Sequence, residues 1–403
     1  MLPYEILKKL TVRNEKKIVL VVLDGLGDIP IDGRTPLEVA HTPNMDNLAT
    51  ESSLGLVHPI DIGITPGSGP AHLALFGYDP LSWDLGRGVL ECLGVGMELL
   101  DKDIAIRGNF CTLGDDGKVV DRRAGRISSE IASSLCEELD SEIGVIDDVE
   151  ITIKHVKEHR LAIRLRGDGL SDDIPDTDPQ RENMEPIEDF PVDTKEKRKT
   201  ASVLKKLLSR SKEILAKKGL KANYILLRGI SRKPSLPPMS EIFKIKPAAI
   251  ATYPMYKGIA KLVGMDVLKT GESMEDEVST LKTSFENYDF FYFHIKKTDT
   301  YGEDGNFAMK IRVIEEFDRI LPKILDLKPD VLAITGDHST PSVMRSHSFH
   351  PVPFLLYSPI SRGCEAKGFS EKECARGDLG HFYMKDTMQL LLAHAMKLKK
   401  FGA

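Results

Sequence analysis

Short apolar runs punctuate the chain. Residues 18–23, 224–227, 290–293, 331–335 and 354–357 are β-branched or aromatic and scarcely alternate in polarity. Strands covered on both faces have this pattern, so the runs are predicted to be buried strands of a parallel sheet. Helical spacing lies between some of them, at residues 43–50 and along an amphipathic stretch at 306–327. The alternation predicts an α/β fold, a mostly parallel sheet covered by helices.

The middle of the chain reads differently. Residues 103–110, 119–120 and 161–165 alternate like exposed-edge strands, and residues 128–139 are spaced like a helix. Residues 167–193, rich in Asp, Pro and Gly, are too long for an ordinary connector and suggest a functional loop or a disordered crossing. The charged run 195–199 opens a predicted helix through residue 218, and residues 231–238, with three prolines, read as a linker. The expected organisation is a discontinuous core domain, residues 1–96 and 245–403, with a smaller α+β domain inserted at 97–244.

Composition narrows the function classes. Of 403 residues, 41% are hydrophobic and 29% charged, a globular balance. Lys and Arg total 55 against 61 Asp and Glu, a net charge of −6 that argues against non-specific nucleic-acid binding and against docking on anionic membranes. No apolar run approaches the roughly 18–20 residues that span a bilayer. Charged Glu5, Lys8 and Lys9 interrupt the N-terminal stretch, so no signal peptide is expected. Cys92, Cys111, Cys136, Cys364 and Cys374 form no Cys-x-x-Cys pair and read as reduced thiols of a cytoplasmic protein.

Candidate chemistry collects where the predicted strands end. Run 18–23 stops at Asp24, run 290–293 leads through His294 to Asp299, and run 331–335 leads through Gly336 to Asp337 and His338. Ligands of open α/β sheets bind beyond the carboxyl ends of the strands. Carboxylates gathered there repel one another unless cations lie between them. Taken singly, Asp24 could cap a turn, Asp337 a helix, and His338 could be a core histidine. Together with His347 they form a mixed oxygen and nitrogen donor set, better suited to Mn²⁺ or Zn²⁺ than to Ca²⁺ and large enough for two ions.

The segment Thr65-Pro66-Gly67-Ser68-Gly69-Pro70-Ala71-His72 precedes an apolar helical run at 73–76. Ser68 thus lies in a Gly-rich loop at a helix N-terminus, where backbone N–H groups favour an oxyanion. An ordinary serine N-cap is the plain alternative. Metal coordination would lower the hydroxyl pKa and make attack on phosphorus feasible. A third set is cationic: Arg122, Arg123 and Arg126, with His159, Arg160, Arg228 and Lys257. In an acidic chain, this clustering favours a small anionic substrate over surface decoration, because arginine forks match phosphate and carboxylate oxygens.

At these residues the sequence resembles the alkaline phosphatase superfamily, and within it the archaeal-type 2,3-bisphosphoglycerate-independent phosphoglycerate mutases. The resemblance rests on Val21-Val22-Leu23-Asp24-Gly25-Leu26-Gly27-Asp28, Gly33-Arg34-Thr35-Pro36-Leu37-Glu38 and His41-Thr42-Pro43-Asn44-Met45-Asp46. Ala71-His72-Leu73, Phe76-Gly77-Tyr78-Asp79-Pro80, the arginine segment 121–127, Asp176-Thr177-Asp178-Pro179 and Ile334-Thr335-Gly336-Asp337-His338-Ser339-Thr340-Pro341 extend it. It runs from about residue 17 to the closing Phe401-Gly402-Ala403.

The resemblance implies an alkaline-phosphatase-like core with an inserted domain that closes over the substrate. It implies two divalent cations, Mn²⁺ foremost, with Mg²⁺, Co²⁺ and Zn²⁺ as alternatives. One would be held by Asp24, Ser68, Asp337 and His338, the other by Asp299, Glu303 and His347. Ser68 would be the nucleophile and carry the phosphoryl group. The implied reaction interconverts 3-phosphoglycerate and 2-phosphoglycerate without 2,3-bisphosphoglycerate, in glycolysis and gluconeogenesis. Another phosphotransferase or phosphomonoesterase of the superfamily, or a non-catalytic binder of a phosphorylated ligand, are the alternatives. The chain departs from the family pattern in three places. Glu303 stands where a His follows the Asp299 segment, His350 where an Asp precedes Pro-Val-Pro, and Gly69 where an acidic residue follows the nucleophile. His350 is a candidate compensating imidazole if its loop bends toward the metal.

Overall fold

The structure, a computed structural model, describes residues 2–83, 85–363 and 365–402. It divides into two compact units, Met1–Trp83 with Leu236–Ala403, and Asp84–Ser235.

The first unit is built on an eight-stranded sheet in the order Asp266–Val267, Pro247–Ile250, Phe290–Ile295, Ile18–Leu23, Val331–Thr335, Val352–Tyr357, Ser53–His58 and Gly380–Tyr383. The three central strands are buried at every position, as their unbroken apolar runs require. Their register brings the strand ends level: Val22 pairs with His294 on one side and with Thr335 on the other. Asp24, Lys296 and Gly336 therefore leave the sheet together. Val352–Tyr357 runs antiparallel to both neighbours, whereas its apolar run had read as parallel. The loop 336–351 returns the chain directly, without a crossover helix.

The helix Phe307–Leu325, with Asn306 as its N-cap, packs beside Pro36–Val39, Pro43–Thr50 and Met274–Ser284. Its buried Asp318 accepts hydrogen bonds from the backbone N–H groups of Met45 and Asn44, at 2.7 and 3.3 Å. Those are first-turn donors that their own helix cannot satisfy.

The second unit carries a sheet in the order Val119–Asp121, Ile104–Leu113, Arg160–Arg166, Val149–Lys157 and Val145–Ile146, with Tyr224–Ser231 also paired to Ile104–Leu113. All of these pairings are antiparallel, so residues 224–227 belong to this sheet and not to the parallel one. Ile104–Leu113 is correspondingly a central strand, not an exposed edge. Ser129–Ile143, capped by Ser128, and Lys195–Ala216, capped by Thr194, contribute their apolar faces to its core. Residues 167–194 hold no helix or strand.

The unit boundaries fall outside residue 97 at one crossing and inside residue 244 at the other. Arg87–Gly94 packs on the second unit: a Cβ on Gly88 would lie 2.4 Å from the Ala105 carbonyl oxygen. Met239–Ile242 belongs to the first, where Glu241 pairs with Lys8 at 2.6 Å. Neither helix announces its side in sequence, because each is short. Cys92, Cys111 and Cys136 are buried free thiols, Cys374 is buried, and Cys364 lies outside the described residues. Among the described residues no helix is long and apolar enough to cross a membrane.

Replacing Asp318 with Ala leaves the Met45 and Asn44 N–H groups without their acceptor, a loss of about 1–3 kcal/mol. Thermal unfolding of the variant against the parent protein measures it, and an unchanged transition would exclude this cap as a stabilising contact.

Candidate metal centre and anion-binding residues

Two compact donor groups lie at the carboxyl edge of the first unit's sheet: Asp24, Asp337 and His338, and Asp299, His338 and His347. Within each group the donor atoms lie within 4.8 Å of one another. His338 is common to both. Its Nε2 stands 3.4 Å from Asp24 Oδ1, 3.1 Å from Asp337 Oδ2 and 3.3 Å from Ser68 Oγ.

The residues behind each donor decide which atom faces the centre. Tyr256 OH donates to Asp24 Oδ2, where Lys296 Nζ also lies at 3.0 Å. That leaves Asp24 Oδ1 buried and without a hydrogen-bond partner. Asp337 Oδ1 accepts from the Gly25 N–H at 3.0 Å, and Asp337 Oδ2 likewise has no hydrogen-bond partner, although His72 Nδ1 lies 3.2 Å from it. Glycine is needed at position 25, where φ is +62° and a Cβ would meet Thr340 Oγ1 at 2.5 Å.

The histidine tautomers follow from the same contacts. Thr340 Oγ1 spends its proton on Asp299 Oδ1 at 2.8 Å, so it accepts from His338 Nδ1–H at 2.9 Å. His338 Nε2 is thereby turned to the carboxylates. His347 Nδ1–H donates to the Pro66 carbonyl at 2.9 Å, which aims Nε2 at Asp299 Oδ1, 3.6 Å away. Hydrogen bonding of the far ring nitrogen is how metal-binding histidines are oriented.

The electrostatics call for positive charge. Burial opposes ionisation of Asp337, but His338 and His72 outweigh it and hold the carboxyl well below the usual range. Burial likewise opposes charge on His338, yet Asp337, Asp24 and Asp299 raise its pKa to about 9. Two orphaned carboxylate oxygens facing one imidazole nitrogen fit a divalent cation that accepts oxygen and nitrogen donors.

Ser68 is the first residue of the helix Ser68–Leu75. Gly67 occupies the N-cap, and the Ser68 side chain makes no capping bond, so the plain N-cap reading does not hold. Its carbonyl accepts from His72 Nδ1 at 2.9 Å. Glu303 stands apart from the compact groups: its half-exposed carboxylate Oε1 lies 3.9 Å from His347 Nε2. His350 bonds Ser348 Oγ at 3.0 Å and stacks on Phe349, so it is not among the donors either.

The second unit holds most of the predicted cations. Arg122 commits its fork to Asp178, with Nε–Oδ1 at 3.0 Å and Nη2–Oδ2 at 2.6 Å. Arg228 lies 3.6 Å from the same carboxylate. Asp121 clasps the backbone N–H groups of Arg123 and Gly125 at 2.8 and 2.6 Å, and Ala124, Gly125 and Arg126 all take positive φ. This tight loop leaves the Arg123 and Arg126 guanidinium groups without an ion-pair or hydrogen-bond partner among the described residues.

His159 is buried, and burial with the Arg160 charge pushes its pKa down to about 4. Arg87 and Arg107 were not singled out in the sequence, since each sits alone in an unremarkable stretch. Arg107 Nε lies 3.9 Å from the buried Glu91, and burial with the Arg160, Arg87 and Arg228 charges lowers its pKa to about 10. In the first unit, Lys257 is half-buried on the helix Pro254–Leu262 and acts electrostatically on Glu277.

A family model described as 2,3-bisphosphoglycerate-independent phosphoglycerate mutase matches residues 49–220. A Thermotoga maritima protein named as a probable enzyme of that kind is 52% identical over 400 residues, covering 99% of each chain. The chain belongs to the 2,3-bisphosphoglycerate-independent phosphoglycerate mutase family. A relative from Aquifex aeolicus with the same name is 52% identical over 408 residues, covering 99% of this chain and all of its own.

This member of the mutase family also matches solved structures. A cofactor-independent phosphoglycerate mutase from Thermoplasma acidophilum superimposes with a TM-score of 0.72 at 32% identity, over 94% of this chain and 100% of its own. A Pyrococcus horikoshii protein gives a TM-score of 0.82 at 31% identity, over 96% of this chain and 100% of its own.

One support of the centre was invisible in the mutase sequence. Lys310, wholly buried in the helix Phe307–Leu325, donates to Asp28 Oδ2 at 2.9 Å and to the carbonyls of Thr340 and Gly27 at 3.0 and 3.2 Å. Replacing Lys310 with Met strands the Asp28 carboxylate in the interior, at a cost of about 3–5 kcal/mol. Denaturant unfolding tests this, and a loss below about 1 kcal/mol would mean that the pair is dispensable.

Proposed function

We propose that this chain interconverts 3-phosphoglycerate and 2-phosphoglycerate by way of a phosphoserine at Ser68, without 2,3-bisphosphoglycerate, as an isomerase of glycolysis and gluconeogenesis. The observation that carries the reading is the Ser68 hydroxyl. It is free of any capping role and lies 3.3 Å from His338 Nε2, beside two orphaned carboxylate oxygens. The cations we propose are two divalent ions, Mn²⁺ or Mg²⁺ before Co²⁺ or Zn²⁺, because Glu303 adds an oxygen donor to Asp299 and His347. Asp24, Ser68, Asp337 and His338 would hold the other ion.

Bound there, the cations would supply a lowered pKa for the Ser68 hydroxyl and charge neutralisation for the phosphoryl oxygens. Ser68 Oγ attacks phosphorus, the phosphorus–oxygen bond to glycerate breaks, and the proton lost by Ser68 is balanced by the one gained by the departing glycerate oxygen. Glycerate then offers its other hydroxyl to the phosphoserine, and the steps reverse. In the first turn of Ser68–Leu75, backbone N–H groups without intrahelical partners favour the anion. Arg123 and Arg126 hold phosphate or carboxylate oxygens, with Arg228, Arg160, His159 and Lys257 as further contacts. Arg122 acts mainly by fixing Asp178. Water must be excluded while the phosphoserine stands, or glycerate and phosphate are released instead. The buried free thiols of Cys92, Cys111 and Cys136 support a cytoplasmic setting.

The direct test follows conversion of 3-phosphoglycerate with enolase as the coupling enzyme, with Mn²⁺ added and no 2,3-bisphosphoglycerate. Turnover that a chelator abolishes and Mn²⁺ restores is the expected result; release of inorganic phosphate in its place would make the protein a phosphatase. Ser68→Ala should be folded and inactive. Appreciable mutase activity in that variant would sink the phosphoserine route.

Losing one charge-assisted contact costs about 1.5–3 kcal/mol, so Arg123→Ala and Arg126→Ala should each lower kcat/KM by roughly 10- to 150-fold with little change in thermal stability. Parent-like kinetics in both would remove these arginines from the substrate site.

A further inference from the structure

Lys296 follows the strand Phe290–Ile295 by one residue and is only 23% exposed. Its Nζ lies 3.0 Å from Asp24 Oδ2 and 2.5 Å from Asp299 Oδ2. The rings of Tyr253 and Tyr256 each stand 5.8 Å from the same nitrogen, their faces turned to the charge. Asp24 belongs to one donor group and Asp299 to the other. A single ammonium thus bridges the two groups, and it uses on each carboxylate the oxygen that is turned away from the histidine donor.

This placement has an electrostatic consequence. A cation held by Asp24 Oδ1 or Asp299 Oδ1 sits one carboxylate width from a fixed positive charge, in a buried setting where screening is weak. The ammonium therefore opposes cation binding at both groups while it holds the carboxylates in place. It also offsets an excess. Asp24, Asp299 and Asp337 contribute three buried carboxylates to the centre, and Lys296 returns one positive charge.

We propose that Lys296 is the built-in counter-cation of the centre, a positioning residue that weakens divalent-cation binding at both donor groups and keeps the ions exchangeable. The inference rests on the reading of these groups as cation sites. It extends that reading by giving a sign: removal of Lys296 tightens binding, whereas removal of a scaffold residue loosens it.

The test is calorimetric titration of chelator-treated protein with Mn²⁺, using the parent, Lys296→Met and Lys296→Arg. Lys296→Met, with a neutral side chain of similar length, should bind Mn²⁺ about tenfold more tightly or better. Lys296→Arg, which keeps the charge, should stay within about threefold of the parent. Circular dichroism checks that each variant is folded, and Lys296→Gln replaces Lys296→Met should that variant fail to fold. Unchanged or weaker Mn²⁺ binding by the neutral variant, beside a parent that binds, overturns the counter-cation role alone. A parent that binds no Mn²⁺ beside a neutral variant that does supports the role. Absence of binding in both overturns this inference together with the cation reading.

Discussion

Three carboxylates buried at one point of a sheet edge set the terms for the rest of the first unit. Asp24, Asp299 and Asp337 are brought together because three parallel strands end level, with Val22 paired to both His294 and Thr335. The sheet does not relieve their mutual repulsion. Relief comes from the Lys296 ammonium, from the rise of the His338 pKa to about 9, and from the capacity of the site for divalent cations. A neutral core at this edge would be easier to fold. Gathering carboxylate oxygens there without hydrogen-bond partners makes chemical sense where cations are to be held.

Around these groups, position is enforced from behind. Thr340 fixes the tautomer of His338 and at the same time holds Asp299, so one hydroxyl couples the two donor groups. The Thr340 carbonyl is in turn held by Lys310, whose ammonium also anchors Asp28 and Gly27 in the loop after Ile18–Leu23. The helix Phe307–Leu325 therefore reaches the centre through one buried lysine, although none of its residues belongs to either metal-donor group. Buried ion pairs seldom add net stability over apolar packing. Lys310 and Asp28 are better understood as setting where two loops lie.

Much of this was legible in the chain because it follows from burial. The runs 18–23 and 331–335 coincide with strands, and the residues after them are the donors, since a strand covered on both faces cannot hold a carboxylate before it leaves the sheet. Direction and partnership were not legible. Residues 354–357 and 224–227 have the same apolar character as the parallel strands, yet one run is antiparallel and the other lies in a different sheet. An apolar run records that both faces are covered, and nothing about which strand lies alongside. Lys296 and Thr340 sat within stretches already singled out, and Tyr256 beside the candidate Lys257, but their roles depend on contacts between segments far apart in sequence. The arginine segment 121–127 was found by its density, which could not separate Arg122, tied to Asp178, from Arg123 and Arg126, left open.

The serine carries the same lesson to the level of one atom. A Ser at the head of a helix most often caps it, accepting from an N–H two or three residues on. Here Gly67 takes the cap position and Ser68 becomes the first helical residue, so the hydroxyl is released from backbone duty and turned to His338. Shifting the cap by one residue does two things together. It frees the oxygen that would attack phosphorus, and it leaves first-turn N–H groups without a side-chain acceptor beside it. The glycine before Ser68 thus gives the loop more than flexibility: without a side chain, it cannot satisfy the donors that a phosphoryl oxygen would otherwise find taken.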